Sequence, residues 1–144
     1  MSRSLTLALA GSLLLGSAAC SDSLAPEDVA GTWDATSLVF TSVAAPATNS
    51  GNLIAAGFSL SLTLNASGTA SVTIDDGTGP ITDTGTFTID GSDLTLTLGG
   101  DPSTGTIELN GNTLTVRLTT GVDFDFDDDG VDEAATAVIV LSRA

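Results

Sequence analysis

The sequence predicts an all-β domain, an eight-stranded antiparallel up-and-down barrel, and three observations support this fold class. Apolar and polar residues alternate along most segments after residue 28, which is typical of strands with one buried face. Short turns join nearly all of these segments, so neighbouring strands must run antiparallel. The chain has 144 residues and sixteen glycines, enough for one domain with many tight turns. A two-sheet β-sandwich is the alternative, but closure into a barrel leaves no exposed strand edges.

The first segment of the chain is typical of an exported protein. Arg3 precedes an apolar run at residues 5–15, and small residues follow it up to Ala19. This order of a basic start, a short apolar middle and small residues predicts a signal peptide over residues 1–19. The apolar run is too short to predict a membrane-spanning helix.

The residues around Cys20 resemble the lipobox of bacterial lipoproteins, with Ser17 at the position where that family usually has Leu. The resemblance implies that Cys20 is lipidated and becomes the mature N-terminus. The protein would then be anchored in the cell envelope, at the outer membrane, through a polar tether over residues 20–28. The alternative is an ordinary signal peptide cut near Ala19, which leaves a free cysteine.

The domain that follows, residues 29–144, contains eight predicted strands. The clearest predicted strand covers residues 58–65, where four apolar residues alternate with four polar ones. Asn110-Gly111 predicts a tight hairpin, because both residues tolerate the positive φ angles of a type I′ turn. From residue 113 as far as Phe126, apolar residues recur at even-numbered positions and so fall on one face of a strand. This pattern predicts a single long strand. The predicted strands are residues 31–41, 58–65, 69–75, 84–90, 94–98, 104–109, 113–126 and 136–142.

The opening Gly31-Thr32-Trp33 resembles the lipocalins, in which this Trp plugs one end of an eight-stranded barrel and the Gly lets the backbone pass close beneath it. Arg143, at the end of the last strand, stands where lipocalins have an Arg that lies over the Trp ring. The resemblance implies that Gly31, Trp33 and Arg143 form a structural plug, with a cation–π contact between Arg143 and Trp33. It also implies that the long connection over residues 42–57 covers the open end of the barrel.

The same resemblance implies a small hydrophobic ligand inside the barrel. The candidate lining residues are Phe58, Leu60, Leu62, Val72, Ile74, Phe87, Leu96, Ile107, Leu114 and Val116. The alternative is a structural or interaction module of the envelope, because side chains alone can fill an eight-stranded barrel. An enclosed apolar cavity of about 300 Å³ or more favours the binding protein, and a filled barrel favours the module.

Composition excludes several classes of function. The net charge is -15, with only three basic residues, so a nucleic-acid partner is not expected because phosphate contacts need clustered Lys or Arg. The sequence contains no His, Lys or Tyr, which removes His-dependent nucleophiles, the lysine Schiff base and His-ligated zinc. The acids lie at turns rather than facing one another across a cleft. We therefore predict a monomeric protein that is not an enzyme and has no catalytic residues.

An acidic segment, residues 123–133, has seven carboxylates within eleven residues. Its pattern Asp-x-Asp-x-Asp-Gly resembles the opening of a calcium loop, in which alternate side chains point at one centre. The predicted ligands are the side chains of Asp125, Asp127, Asp129 and Glu133 and the carbonyl of Val131. Calcium would stabilise the last hairpin, because these acids otherwise repel one another. The alternative is a solvated acidic turn without an ion.

Overall fold

The computed structural model describes residues 23–144, so the predicted signal peptide, Cys20 and the start of the tether lie outside the described residues. Nine β-strands form within this range. Their bounds are β1 Gly31–Ser42, β2 Ser59–Leu64, β3 Thr69–Asp75, β4 Ile81–Asp90, β5 Asp93–Leu98, β6 Asp101–Asn110, β7 Thr113–Thr120, β8 Asp123–Phe124 and β9 Glu133–Arg143. Nothing in residues 23–144 forms a helix with the length and apolar character needed to cross a bilayer.

Eight of these strands form a closed antiparallel barrel. Strands β1 to β7 pair in sequence order, β7 pairs with β9, and β9 pairs back with β1. The two residues of β8 extend the sheet only at the start of β9. The closing pair β1–β9 is the longest, running from Trp33 opposite Arg143 to Ser42 opposite Ala135. The prediction of an up-and-down barrel is confirmed, and the sandwich alternative is wrong.

The predicted long strand over residues 113–126 is wrong in its middle. It breaks at Gly121, which has a φ of 69°, a conformation that L side chains rarely adopt. A Cβ there would overlap the backbone carbonyl of Pro102. The chain resumes pairing only at β8, opposite Glu133 and Ala134. The alternation of apolar and polar residues cannot reveal such a break, because the apolar residues on either side of Gly121 still point inward.

Three other strands, β4, β6 and β9, begin three residues earlier than predicted, since the neighbouring strand offers partners beyond the alternating residues. Strand β4 begins at Ile81, which pairs with Ile74. Strand β6 begins at Asp101, which pairs with Leu98, and β9 begins at Glu133. Backbone pairing therefore continues past the point where the side-chain pattern ends.

Strand β1 changes its inward-facing parity part way along. Its register to β9 shifts between Ala35 and Ser37, and such a bulge places two residues opposite one. Trp33 and Leu38 are consequently both buried, although they are an odd number of residues apart. The bulge lets one strand fill both ends of the barrel interior.

The two ends of the barrel differ. The closed end contains Trp33 and the tight turns β2–β3, β4–β5 and β6–β7. The opposite end, here called the mouth, carries the longer connections: residues 43–58, 76–80 and 121–132, together with the two-residue β5–β6 turn. The first of these lies along β1, where Leu53 donates its backbone N–H to the carbonyl of Leu38 at 2.9 Å.

Candidate functional site

The barrel contains a cavity of about 160 Å³, and none of the lining residues that the structure describes is polar. It extends from the level of Leu94 and Ile107 in the closed half to Phe40 and Val122 near the mouth. The lining residues are Leu38, Phe40, Leu60, Leu62, Leu64, Val72, Ile74, Leu94, Leu96, Leu98, Ile107, Val116, Leu118, Val122, Ala137 and Ile139. Alternation along the strands brings these side chains together, because every second residue of a strand faces the interior.

Seven of the ten predicted ligand-binding residues line this cavity: Leu60, Leu62, Val72, Ile74, Leu96, Ile107 and Val116. The other three do not line it. Phe87 and Leu114 are buried in the core near the closed-end turns, where they fill the space below the cavity floor. Phe58 is the half-buried last residue of the long mouth connection, just before β2, and packs against the core. All three face inward, but position along the barrel axis decides which inward residues reach the cavity.

Nine lining residues were not predicted, although for some the sequence did carry a signal. Leu94, Leu98 and Leu118 share the parity of predicted neighbours on their strands, and Val122 shares that of Val116 in the predicted long strand, so all four could have been included. Leu38 and Phe40 follow the β1 bulge, which alternation alone does not show. Leu64 lies at the end of β2 and has the same parity as Leu60 and Leu62. For Ala137 and Ile139, β9 is apolar on both faces, so its pattern could not identify the inner one.

The size of the cavity restricts what it can hold. Pockets for drug-sized ligands begin near 300 Å³, and the cavity is only about half as large. The barrel is nevertheless not filled. Dry apolar cavities of roughly 150 Å³ are known to accept benzene or xenon. The cavity therefore matches a small apolar molecule rather than a long lipid.

The predicted structural plug closes the barrel at the end opposite the mouth. Trp33 is fully buried and donates its Nε1–H to the carbonyl of Val29 at 2.8 Å. The guanidinium carbon of Arg143 lies 4.3 Å from the centroid of the Trp33 ring, and its Nη1 donates to the carbonyl of Ala30 at 3.0 Å. The cation–π contact predicted from the sequence is present.

Gly31 makes this arrangement possible. It has a φ of 134°, and a Cβ at this position would approach Arg143 Nη1 to 2.8 Å. A larger residue would therefore be strained in its backbone and would push the guanidinium from its place over the indole.

An aromatic group joins the mouth to the acidic segment. Phe40, which lines the cavity, stacks on Phe124 with ring centroids 4.7 Å apart and planes 13° apart. Phe124 in turn makes an edge contact with Phe126, at a centroid distance of 5.0 Å. Because Asp123 and Asp125 flank Phe124, these contacts hold the acidic segment against the mouth.

The acidic segment brings four of the predicted calcium ligands together. Asp125, Asp127, Asp129 and Glu133 each offer a carboxylate oxygen, and the four oxygens lie within 4.8 Å of one another. Val131, the fifth predicted ligand, lies exposed in the same loop and donates its N–H to Asp129 Oδ1 at 2.8 Å. Such an arrangement of oxygen ligands suits a hard cation such as calcium.

Backbone hydrogen bonds hold three of these carboxylates in position, those of Asp125, Asp129 and Glu133. Asp125 accepts the N–H of Gly130 at 2.8 Å and that of Asp129 at 3.3 Å. The hydrogen bond from Gly130 is the main reason why the pKa of Asp125 lies below its ordinary value. Glu133 accepts the N–H of Phe126 at 3.0 Å. The loop therefore presents Asp125 in its ionised form.

A comparison with protein families agrees with this architecture. The model of the lipocalin-like domain family matches residues 29–116, more than half of the chain. Among solved structures, the wild-type fluorescent protein UnaG is similar with 16% identity and a TM-score of 0.40, over 82% of this chain and 98% of that one. No curated protein matches the chain. Since the family match spans the barrel from before Trp33 into β7, the chain belongs to the lipocalin-like domain family.

Proposed function

We propose that this protein binds a small hydrophobic molecule inside its barrel and is a non-enzymatic, monomeric binding protein. The observation that carries this proposal is the apolar cavity of about 160 Å³. An apolar molecule that leaves water for such a space gains roughly 25 cal/mol for each Å² of apolar surface buried. The described lining residues offer no hydrogen-bond partner, so shape and hydrophobicity select the ligand.

The cavity can be tested directly with benzene as the probe. Titration into the purified, isotope-labelled protein should shift the amide signals of Leu96 and Val116, which lie on the inner wall, and should leave those of the closed-end turns unchanged. Ala137→Leu should weaken this binding, because Ala137 lines the cavity and a larger side chain occupies part of the space. Val138→Leu is the control, since Val138 is its neighbour on the outer face of β9.

Two outcomes would contradict the proposal. The first is an absence of saturable shifts at the inner wall up to the solubility limit of benzene, which would favour a structural module with a closed interior. The second is equal binding by the Ala137→Leu and Val138→Leu proteins, which would place the probe outside the cavity.

We further propose that Cys20 is lipidated and holds the barrel at the outer membrane of the cell envelope. Support comes from the lipobox resemblance and from the place where Leu24 contacts the barrel. Leu24 donates its N–H to the carbonyl of Gly91 in the β4–β5 turn at 3.2 Å, so the N-terminal segment meets the barrel at its closed end. An anchor at Cys20 would then direct the mouth away from the membrane, toward ligands in the aqueous phase.

A calcium ion in the acidic segment is the third part of the proposal. Four carboxylate oxygens within 4.8 Å of one another repel strongly unless a cation offsets their charge. The ion would act as a structural stabiliser of the β8–β9 hairpin. In that role it would be bound weakly, with a dissociation constant on the order of 10⁻⁴ to 10⁻³ M as in extracellular modules.

A further inference from the structure

The distribution of charge around the cavity narrows the class of ligand. Ten of the eighteen acidic residues belong to the mouth: Asp75, Asp76, Asp101 and the seven carboxylates of residues 123–133. Several follow lining residues directly. Asp101 pairs with the lining residue Leu98, whereas Asp75 and Asp123 follow Ile74 and Val122 and point to the outer side of the rim. The carboxylates thus surround the mouth end of the cavity, and their negative potential acts on whichever end of a bound molecule lies there.

No basic group balances these carboxylates in the part of the chain that the structure describes. Its two basic residues are Arg117 and Arg143. Arg117 is exposed on the outer face of β7, and Arg143 is held over Trp33 at the closed end. Burial of an anion needs a paired charge or hydrogen-bond donors, and the lining residues supply neither.

We infer that the cavity selects its ligand by charge, taking a small apolar molecule with a single positive charge at one end and rejecting the corresponding carboxylate. The inference rests on the proposed function of the barrel. The apolar body lies in the cavity, where its burial provides the binding energy. The cationic head stays in water at the mouth, where the negative potential of the carboxylates attracts it. A neutral analogue binds through the apolar body alone, with intermediate affinity.

The test uses three probes that share a six-carbon chain: hexylammonium, 1-hexanol and hexanoate. Binding is followed by the amide shifts of Leu96 and Val116 in the presence of a chelator, so that no divalent ion neutralises the mouth. At about 20 mM salt we expect hexylammonium to bind at least about tenfold more tightly than hexanoate, with 1-hexanol between them. At about 300 mM salt the difference should shrink, because counterions screen the carboxylates.

A matched pair of variants locates the effect. Asp75→Asn, Asp101→Asn and Asp123→Asn together remove three charges from the mouth and should bring the affinities for the three probes closer together. Asp90→Asn, Asp93→Asn and Glu108→Gln remove three charges from strands near the closed end and should leave the preference unchanged. Methylammonium lacks an apolar body, so it should not shift the two inner-wall signals.

The outcomes separate this inference from the proposed function. If 1-hexanol binds but hexanoate binds as tightly as hexylammonium, the charge selection is wrong and the cavity remains a binding site. If the closed-end variant loses the preference as much as the mouth variant does, the effect comes from net charge and the inference is also wrong. If none of the three probes binds, the proposed function fails, and the inference fails with it.

Discussion

A single basic residue contributes to closure of the barrel through two contacts. Arg143 stacks on Trp33 at 4.3 Å and donates a hydrogen bond to the carbonyl of Ala30. It therefore joins the end of β9 to the backbone just before β1. Because the Arg143 side chain is partly exposed to water, the stacking contributes less than it would in a dry interior.

Replacement of this side chain should destabilise the fold measurably. Arg143→Ala is expected to lower the free energy of unfolding by about 1 kcal/mol, through loss of the cation–π contact and the hydrogen bond. Arg143→Lys should lose less, because an ammonium can still lie over the indole. Chemical denaturation gives both values.

The control for this prediction is Arg117→Ala, which removes the same charge from an exposed position on β7. Its effect should stay within about 0.5 kcal/mol. Equal losses from the two alanine variants would show that charge, and not the contact with Trp33, explains the result.

At the level of the strand, two glycines without positive φ angles allow the sheet to curve. Gly85 in β4 lies opposite Leu98, and Gly105 in β6 lies opposite Leu118. A Cβ on Gly85 would overlap the carbonyl of Thr97, and one on Gly105 would overlap the carbonyl of Arg117. Glycines within strands commonly mark such close backbone approaches and the bends that close a barrel.

Gly85→Ala and Gly105→Ala should each therefore lower the free energy of unfolding by about 1–3 kcal/mol, the usual cost of overpacking. Thr86→Ala and Thr106→Ala are matched controls, since these residues come next on the same strands and are exposed. Urea denaturation compares the four proteins. Glycine variants that lose no more stability than the threonine variants would show that the strands can separate without cost.

The β8–β9 connection is the element in which the proposed calcium site lies. Calcium at about 5 mM should stabilise the protein by roughly 1–2 kcal/mol if the dissociation constant lies between 10⁻⁴ and 10⁻³ M. Asp127→Asn with Asp129→Asn should remove this stabilisation, because each change removes a charged ligand. Thermal unfolding with calcium and with chelator, at equal ionic strength, measures the effect.

Any salt reduces the repulsion between acidic side chains in a chain with a net charge of -15. The calcium experiment therefore needs a control. Asp90→Asn with Asp93→Asn removes two charges from the β4–β5 hairpin and should preserve the response to calcium. An identical melting temperature with calcium and with chelator would exclude the site.

At the scale of the whole molecule, the proposed membrane anchor is Cys20, a residue outside the barrel. Cys20→Ser should abolish incorporation of a fatty-acid probe into the protein, because the thiol is the group that lipidation modifies. Ser17→Leu, which introduces the residue usual in the lipobox, should keep the labelling. Labelling of the Cys20→Ser protein, or of neither the original protein nor the Ser17→Leu protein, would contradict the proposed anchor.

Local pattern was sufficient to predict much of this protein. Alternation identified eight strands, and their short connections determined that neighbours pair antiparallel. Gly31, Trp33 and Arg143 identified the plug through their resemblance to lipocalins. Seven of the ten residues predicted to face a ligand do line the cavity, because successive side chains of a regular strand point to opposite faces.

Only the tertiary structure decided where the inward-facing side chains lie along the barrel axis and how much space remains between them. The bulge in β1 brought Leu38 and Phe40 inward, and the contact of Gly121 with Pro102 ended β7 before the acidic segment. The cavity volume and the gathering of acids at its mouth likewise depend on strands distant in sequence. These features arise from register and packing between strands, which a periodic pattern in one segment does not encode.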